Sequence, residues 1–443
     1  MVHVAREMER LHFQLPLMIG GATTSKLHTA IRIAPAYSGP TVHVLDASRC
    51  VQVVGSIIDS ERRPEFDRLN RLEQEKLRVS ARDRQQDLKL LSIAEARARK
   101  LSIDWNSSSV EKPSFVGVRS LEPSLQELIP FIDWTPFFHA WELRGTYPAI
   151  FDEPEVGPRA RELFEDAQQL LERIVAGRLL TARVRYGIFP ANAVGDDVVL
   201  YADESRSDSL AVIHTLRQQA DKGPAQPDFA LADFVAPRDS GLPDYAGAFV
   251  VTAGIGVAEL VTSFEKDHDD YGAIMTKALA DRLAEAAAEW LHKRVRDEWG
   301  YGGDENLTQD ELRREKYRGI RPAPGYPACP DHSEKRALFD LLNAEAEIGV
   351  TLTEHFAMSP AAAVSGWYFG HPQSRYFSVG KVGRDQVFDY HLRKDVPLAV
   401  VERWLAPVLG YEPGANDPDG PCSCGREHRG AARPARPQLA EKG

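Results

Sequence analysis

The segment from Arg321 to His332 contains four prolines and one glycine within twelve residues. Each proline fixes φ and removes a backbone donor, so this segment cannot form a helix interior or a central strand. Gly325 permits backbone conformations that other residues avoid. The sequence therefore predicts a stiff, extended proline track (residues 321–332) whose carbonyl groups are free to face a ligand. With the cation of Arg321 at its start and the ring of Tyr326 in its middle, such a track suits a small zwitterion.

The composition predicts a folded, cytoplasmic protein. A length of 443 residues, 43% of them hydrophobic, is enough for two or three domains with real cores. The net charge of −11 and the pI of about 5.7 argue against a nucleic-acid-binding surface, which needs concentrated positive charge. No apolar run reaches the roughly 18 residues that a membrane helix needs, and the N-terminus lacks the apolar core of a signal peptide. We therefore expect neither nucleic acid nor a membrane as a partner.

The cysteines predict neither a disulfide framework nor a metal site. The four cysteines are few and scattered, which fits a reducing compartment. Cys422, Cys424 and His428 lack a second ligand pair and lie in a stretch rich in Pro, Gly and Arg, so a structural zinc is not expected there.

The sequence pattern of residues 1–65 predicts a small α/β segment. Apolar strands at residues 15–19 and 41–45 alternate with helices at residues 2–12, at 26–33 and from about residue 48. Such alternation is typical of a parallel sheet that is buried on both faces. Two strands are too few for a complete sheet of this kind, so either this domain is very small or the chain begins in the middle of one.

The composition and periodicity of the rest of the sequence predict three further regions. Residues 66–113 are highly charged with a thin apolar stripe, as in an exposed helical linker. Residues 114–411 read as mixed α+β, with a hairpin around residues 195–197 and a strong amphipathic helix over 272–297. Residues 412–443 lose all periodicity, which predicts a disordered tail.

Seven separate stretches carry a resemblance to a known family. From about residue 114 to 411 the chain closely resembles the C-terminal activation domain of cobalamin-dependent methionine synthase. The matching stretches are Ile132 to Phe138, Phe189 to Asn192, Leu231 to Pro237, His268 to Tyr271, Arg318 to His332, Ser365 to Phe369 and Glu402 to Pro407. The first sixty residues resemble the end of the cobalamin-binding domain of the same enzymes, through Ile19 to Ser25 and Asp46 to Arg49.

This resemblance implies a fold and an activity. The fold is an α+β activation domain, with mixed helices around an antiparallel sheet, preceded by a truncated Rossmann-like α/β segment that belongs to a cobalamin-binding domain. The activity is methyl transfer: the domain binds S-adenosylmethionine (AdoMet) for the reductive methylation of cob(II)alamin, within an enzyme that makes methionine from homocysteine and methyltetrahydrofolate. The implied partners are the remaining methionine synthase modules and, as electron donor, flavodoxin or a flavoprotein reductase.

One family motif does not occur in the chain. The Asp-x-His-x-x-Gly motif, whose histidine coordinates cobalt, is missing from the sequence. The modules that bind homocysteine with its zinc, and methyltetrahydrofolate, are likewise not recognisable. We therefore expect the chain alone to lack the overall methionine synthase activity.

Six residues are candidates for binding AdoMet. Arg321 can grip a carboxylate through two parallel hydrogen bonds, and Asp133 can meet the ammonium. The resemblance implies AdoMet contacts for both of these residues and for four others, Ala323, Tyr326, Tyr376 and Phe377. A simpler alternative for Asp133 is that it caps a helix that begins at residues 134–136.

Five further residues are candidates for contacts with cobalamin or its module. The resemblance implies that Gly20, Gly21 and Ala47, which follow predicted strands, lie against the cofactor, although a Gly-Gly pair is usually only a tight turn. Asp281 and Glu285 lie four residues apart and therefore share one face of the 272–297 helix. They are either part of a solvated face or acceptors for groups on the cobalamin module.

Three hypotheses about function remain open at this point. The chain is the C-terminal portion of a methionine synthase, a separate non-catalytic AdoMet-binding module that reactivates a partner corrinoid protein, or an interaction protein that keeps the fold without the ligand. The presence of Arg321, Asp133 and Tyr376 favours the first two.

Overall fold

The computed structural model describes most of the chain, in two compact units. The described residues are 1–20, 25–44, 47–59, 61–86, 89–105, 110–303, 305–308, 311–312 and 314–413. The first unit consists of residues 1–91 with 220–226, and the second of residues 92–219 with those from 227 onwards. The predicted tail lies, apart from its first two residues, outside the described ranges.

The first unit contains one parallel strand pair. Its elements are α1 (Val2–Arg10), β1 (Leu17–Ile19), α2 (Lys26–His28), which continues through irregular helical turns to residue 36, β2 (Thr41–His43), α3 (Ala47–Ile58) and α4 (Arg63–Gln86). Strands β1 and β2 pair in parallel, with Leu17 opposite Thr41. The apolar residues Ala5, Leu17, Ile19, Ile33 and Tyr37 form a small core between β1 and the neighbouring helices. The α/β character predicted for this segment is confirmed.

The second unit mixes helices with a large sheet. Its elements in chain order are α5 (Ile93–Ala98), β3 (Gly117–Leu121), α6 (Leu125–Leu128), α7 (Thr135–Ala140), α8 (Gly157–Gly177), β4 (Thr181–Val194), β5 (Asp197–Tyr201), β6 (Ser209–His214), β7 (Asp244–Ile255), α9 (Val257–Lys266), α10 (Asp270–Trp299), α11 (Glu334–Leu342), α12 (Ala344–Ile348), β8 (Thr351–Leu352), β9 (Met358–Ser359), β10 (Ala363–Tyr368), α13 (Arg384–Lys394) and α14 (Leu398–Trp404).

The sheet of the second unit has six strands, and every pairing in it is antiparallel. The strand order is β10-β7-β4-β5-β6, and β3 pairs with the first half of β4. The predicted hairpin is the β4–β5 connection, with Val194 opposite Asp197. Helices surrounding an antiparallel sheet are the fold class that the sequence predicts, and that prediction is confirmed.

Strand β7 shows that both faces of this sheet are covered. Eleven of its twelve residues are buried. Since successive side chains of a strand point to opposite faces, helices or loops must pack on each side. One face packs through Phe249 and Val251 against the core that includes α8 and α10, and the other through Ala248 and Val250 against the core that includes α11.

Helix α10 is the longest element of the second unit, and its ends follow standard capping chemistry. The side chain of Asp269 accepts a hydrogen bond from the backbone N–H of Gly272 (2.8 Å), which satisfies one of the free donors at the helix start. Gly300 ends the helix in the left-handed conformation, with φ of 100°. Among the described helices, none is both long and apolar enough to cross a bilayer.

A buried arginine ties several segments of the second unit together. All five N–H bonds of Arg217, which is 1% exposed, find acceptors on Asp196, Asp233 and the carbonyl of Asp228 at 2.6 to 2.9 Å. Asp196 also pairs with Arg97 of α5 (2.8 Å). Because the surrounding protein excludes water, each of these charges depends on its partners.

Removing this guanidinium is expected to destabilise the second unit strongly. Arg217→Ala leaves Asp233 and part of Asp196 as buried, unpaired carboxylates, which costs about 3–5 kcal/mol. Urea denaturation followed by circular dichroism measures the loss. The matched control is Arg336→Ala, whose side chain is 45% exposed and pairs only with surface carboxylates, and which should cost less than about 1 kcal/mol. Equal losses in the two variants would contradict the assigned role of Arg217.

Asp244, at the start of β7, should make stability fall as pH rises. Burial raises its pKa to about 6, although the backbone N–H groups of Ala236 and Tyr245 donate to the carboxylate. The folded state therefore holds this proton more tightly than the unfolded chain, whose ordinary pKa is 3.8. The resulting stabilisation is complete below pH 3.8 and is lost as pH rises through about 6, a change of about 3 kcal/mol.

The Asp244→Asn variant isolates this effect. The free energy of unfolding of both proteins is measured by urea denaturation between about pH 4 and pH 7. The wild-type curve should fall more steeply with pH than that of the variant. Parallel curves would mean that the Asp244 carboxyl does not titrate in this range.

Candidate functional site

A cavity of about 400 Å³ lies where the proline track meets the edge strand β10 and the helix α10. Five of the six predicted AdoMet residues line it, namely Arg321, Ala323, Tyr326, Tyr376 and Phe377. Phe249 of β7 and Val364 of β10 supply apolar surface, and Glu285 and Glu315 supply two carboxylates. The cavity therefore combines a cation, two acids and several ring faces.

A larger depression of about 480 Å³ lies around Gly195 on the β4–β5 turn. Two of its ionic side chains are already engaged, because Asp233 pairs with Arg217 and Arg238 donates to the hydroxyl of Tyr201. Volume alone would favour this depression as a binding site. The smaller cavity is the better candidate because five of the six predicted AdoMet residues line it and none of them lines the larger depression.

The proline track is not extended, and in this respect the sequence-based expectation is wrong. It contains two consecutive turns, since Tyr326 N–H donates to Ala323 (3.2 Å) and Cys329 N–H donates to Tyr326 (2.9 Å). Proline at the second position of a turn has the φ value that the turn requires. The track folds back on itself and closes one wall of the cavity.

Most carbonyl groups of the track are used by the fold and are not free for a ligand. Pro322 accepts from Trp367 N–H of β10 (3.0 Å), Pro327 from Val379 N–H (2.8 Å), and Cys329 from Gly325 N–H (2.7 Å). Buried backbone acceptors need partners, and a segment poor in donors must find them elsewhere. The track is thus fastened to β10 and to the chain that follows it.

Gly325 is required where it stands. Its φ of +98° lies in the left-handed region, and a Cβ atom there would lie 2.1 Å from the ring of His332. Any other residue would be strained at this φ and would force the His332 ring to move.

Three side chains surround the guanidinium of Arg321. Nη2 forms an ion pair with Oε2 of Glu289 (2.5 Å), and Nη1 donates to the hydroxyl of Tyr317 (2.6 Å) and to Nδ1 of His292 (3.1 Å). The backbone N–H of Arg321 donates to the hydroxyl of Tyr376 (3.0 Å), which fixes the start of the track.

The electrostatics of the site follow from these contacts. Burial alone would lower the pKa of the Arg321 guanidinium, but Glu289, Tyr317 and Tyr376 hold that pKa above its ordinary value. Loss of hydration raises the pKa of Glu315, with Arg321 opposing the shift. Burial, with the nearby Arg321 and Arg296, holds the pKa of His292 well below its usual value. The site thus has a permanent cation beside a neutral imidazole.

Sequence reasoning missed Glu289, His292, Tyr317 and Glu315. A signal for the first two exists, because the helix period places positions 289, 292 and 296 on the same face of α10 as Asp281 and Glu285. The polar residues of this face are exposed at 281 and 285 and buried at 289, 292 and 296. Buried polar residues on a helix mark a site more reliably than exposed ones.

Asp133 lies just before α7, whose N-cap residue is Trp134. Its side chain is exposed, and Oδ1 accepts from the backbone N–H of Thr135 (3.0 Å), where α7 begins. It is not among the described residues that line the Arg321 cavity. The preceding helical turn, Ile129–Phe131, packs against α10, which also borders the cavity.

The remaining candidates lie elsewhere. Gly20 directly follows β1 and Ala47 begins α3, both in the first unit, whereas Gly21 lies outside the described residues. Asp281 is on α10, but unlike Glu285 it is not among the described residues that line the cavity. Loss of hydration raises the pKa of Asp281. No cluster of three or more potential metal ligands occurs in the described part of the chain, and Cys422, Cys424 and His428 lie beyond it.

Two comparisons with known proteins bear on this arrangement. Residues 124–395 match the family model described as vitamin B12 dependent methionine synthase, activation domain. A crystal structure described as the MetH reactivation domain bound to AdoHcy is 50% identical in sequence, with a TM-score of 0.72, and the match covers 73% of this chain and 99% of that one. The matched residues include the proline track, α10 and the whole Arg321 cavity. The chain therefore belongs to the family of activation domains of vitamin B12-dependent methionine synthases.

Proposed function

We propose that the Arg321 cavity binds AdoMet and that the chain serves the reductive methylation of cob(II)alamin within a methionine synthase. The observation that carries this proposal is the meeting of the Arg321 guanidinium with two carboxylates and two tyrosine rings in one cavity. A structural relative at 50% identity whose description names AdoHcy, the product that AdoMet leaves after methyl transfer, supports it.

The charges of the cavity match those of AdoMet. The ligand carries a carboxylate, an ammonium and a sulfonium cation. Arg321 suits the carboxylate, because guanidinium and carboxylate groups form strong charge-assisted hydrogen bonds. Glu285 and Glu315 suit the positive centres, and the exposed ring of Tyr326 offers a face for a cation or for the adenine. Tyr376 and Phe377 also line the cavity.

Asp133 remains a candidate for the ammonium group. Its hydrogen bond from Thr135 N–H uses only Oδ1, so Oδ2 can accept from a ligand. The helical turn just before Asp133 packs on α10, and α10 also carries Glu285 of the cavity. A contact between Asp133 and AdoMet therefore requires the amino-acid end of AdoMet to extend towards α7.

The wider enzyme supplies the other components. We propose that Gly20, Gly21 and Ala47 contact cobalamin, which supplies the cobalt that accepts the methyl group. The remaining methionine synthase modules supply the homocysteine site with its zinc and the methyltetrahydrofolate site, and flavodoxin or a flavoprotein reductase supplies the electron. A cytoplasmic location is consistent with these partners. A free-standing AdoMet module for another corrinoid protein is not favoured, because the matching family model is that of methionine synthase itself.

Substitution of Arg321 is expected to abolish tight AdoHcy binding. Isothermal titration calorimetry of the full chain with AdoHcy and AdoMet measures the affinities. Arg321→Lys keeps the charge near Glu289 but loses the planar donor pair, and it should weaken binding by about tenfold or more. Arg321→Ala should weaken it further. The exposed Arg336→Ala is the control and should bind as the wild type does. Absence of binding by the wild type would remove the proposal.

Asp281 tests the proposed contact with the cobalamin module. Because Asp281 is exposed and does not line the described cavity, Asp281→Asn should leave AdoHcy affinity unchanged. It should slow AdoMet-dependent reactivation by about tenfold when the chain is combined with a methionine synthase cobalamin module, since a charge-assisted hydrogen bond is lost. Reactivation is followed by the absorbance of cobalamin. Asp297→Asn, an exposed acid at the other end of α10, is the control.

Glu285→Gln should affect both measurements, because Glu285 lines the cavity as well as the exposed face of α10. If the double variant Asp281→Asn with Glu285→Gln reactivated cobalamin at the wild-type rate, the contact between this face and the cobalamin module would be abandoned.

A further inference from the structure

The guanidinium of Arg321 rests on acceptors that lie behind the cavity wall. Glu289 and His292 lie on the buried part of α10, and Tyr317 lies four residues before Arg321 in the chain. None of the three is among the described residues that line the cavity, whereas Arg321 itself does so. They therefore contact the arginine from the protein side and leave its other side to a ligand.

The N–H donors of Arg321 fall into two groups, those used by these three side chains and those left for a ligand. A guanidinium has five N–H bonds. The two on Nη1 go to Tyr317 and His292, and Nη2 pairs with Glu289. Among the described residues, Nε contacts no acceptor, and a second N–H remains on Nη2. Two donors are thus available to a carboxylate in the cavity.

The contact with His292 fixes the protonation of the imidazole. An arginine only donates, so Nδ1 of His292 must accept, and the ring proton resides on Nε2. The ring stacks on Tyr368 with centroids 5.0 Å apart and meets Tyr317 edge to face at 4.9 Å. The neutral imidazole is held in one orientation with its acceptor towards Nη1.

Tyr317 packs against a buried cation. The guanidinium carbon of Arg296 lies 4.1 Å from the centre of its ring, and Arg296 is itself fully buried and bonded to Glu305 (2.8 Å). A cation over the ring face stabilises this position. The hydroxyl of Tyr317 is therefore presented to Arg321 by a packed stack and not by a free surface side chain.

Glu289 could in principle compete with a ligand carboxylate for Arg321. Its side chain is only 12% exposed, and removal of its ion pair would leave a buried, uncompensated carboxylate. A ligand carboxylate that displaced it would have to overcome that cost. Simultaneous binding, with Glu289 behind and the ligand in front, leaves both negative groups paired.

We propose that Glu289, His292 and Tyr317 are positioning residues that hold the Arg321 guanidinium with its free donors towards the cavity and so set the affinity for ligands that carry a carboxylate. This inference rests on the proposed binding of AdoMet and AdoHcy. Two opposite predictions separate positioning from competition. Loss of the Glu289 charge weakens binding if the residue positions Arg321, and it strengthens binding if the residue competes with the ligand.

The experiment compares two ligands on the full chain. AdoHcy carries the amino-acid carboxylate, and 5′-methylthioadenosine keeps the adenosine and thioether without it. Glu289→Gln preserves size and removes the charge, and it should weaken AdoHcy binding by about tenfold while changing 5′-methylthioadenosine binding by less than about twofold. In an Arg321→Lys background the effect of Glu289→Gln on AdoHcy should largely vanish. Calorimetry or ligand-observed NMR gives the affinities.

A matched control and a second pair of variants complete the design. Glu298→Gln makes the same change on α10 at an ion-paired position that contacts Arg294 and Arg119, and it should alter neither affinity. His292→Asn places an amide oxygen where Nδ1 lies, whereas His292→Gln places its amide nearer to Nε2. The asparagine variant should therefore retain AdoHcy affinity better than the glutamine variant, and this pair keeps the test available if Glu289→Gln fails to fold.

The outcomes are distinct. Selective weakening for AdoHcy supports positioning. Equal weakening for both ligands, an unchanged affinity, or tighter AdoHcy binding overturns it. A wild-type chain that binds 5′-methylthioadenosine and AdoHcy equally well overturns it too, whereas a wild-type chain that binds neither removes the proposed function itself.

Discussion

The antiparallel pairing of β4 with β7 is the constraint on which the second unit depends. Most residues of both strands are buried, ten of fourteen in β4 and eleven of twelve in β7. The sheet therefore needs cover on its two faces, and it receives α8 and α10 on one and α11 on the other. Strand β10 pairs with β7 and in turn accepts the proline track through the bond between Trp367 N–H and the Pro322 carbonyl. The position of Arg321 therefore depends, through β10, on the central strands of the sheet.

Helix α10 couples that core to the chemistry of the site. Its apolar face fills the main core, while its polar face changes from exposed at Asp281 to buried at Arg296. Charges in a water-poor environment interact strongly but must be paired. The ion pair of Glu289 with Arg321 satisfies this condition and fixes the arginine at the same time. One helix thus contributes to stability, to the cavity wall and to an exposed acidic edge.

The proline track illustrates how far sequence reasoning reaches. Its composition excluded helix and central strand and pointed to Arg321 and Tyr326, and the family resemblance added Ala323. All three residues line the Arg321 cavity. The composition predicted an extended segment with free carbonyls, and the structure has two turns whose carbonyls are used. Proline restricts φ but leaves ψ open, so both forms satisfy the local chemistry. The donors that fasten the folded track, the backbone N–H groups of Trp367 and Val379, lie far along the chain.

The sequence by itself determined the elements and their faces: the parallel pair of the first unit, the β4–β5 hairpin, the long helix α10 and the shared face of Asp281 and Glu285. It also determined family membership, through the matching stretches. Only the tertiary structure decided that Glu285 borders the Arg321 cavity, that Asp133 accepts from Thr135 N–H outside the described lining, and that Glu289, His292 and Tyr317 surround the guanidinium. The physical reason is that local periodicity fixes which side chains share a face, whereas the pairing of buried charges depends on contacts between residues distant in the chain.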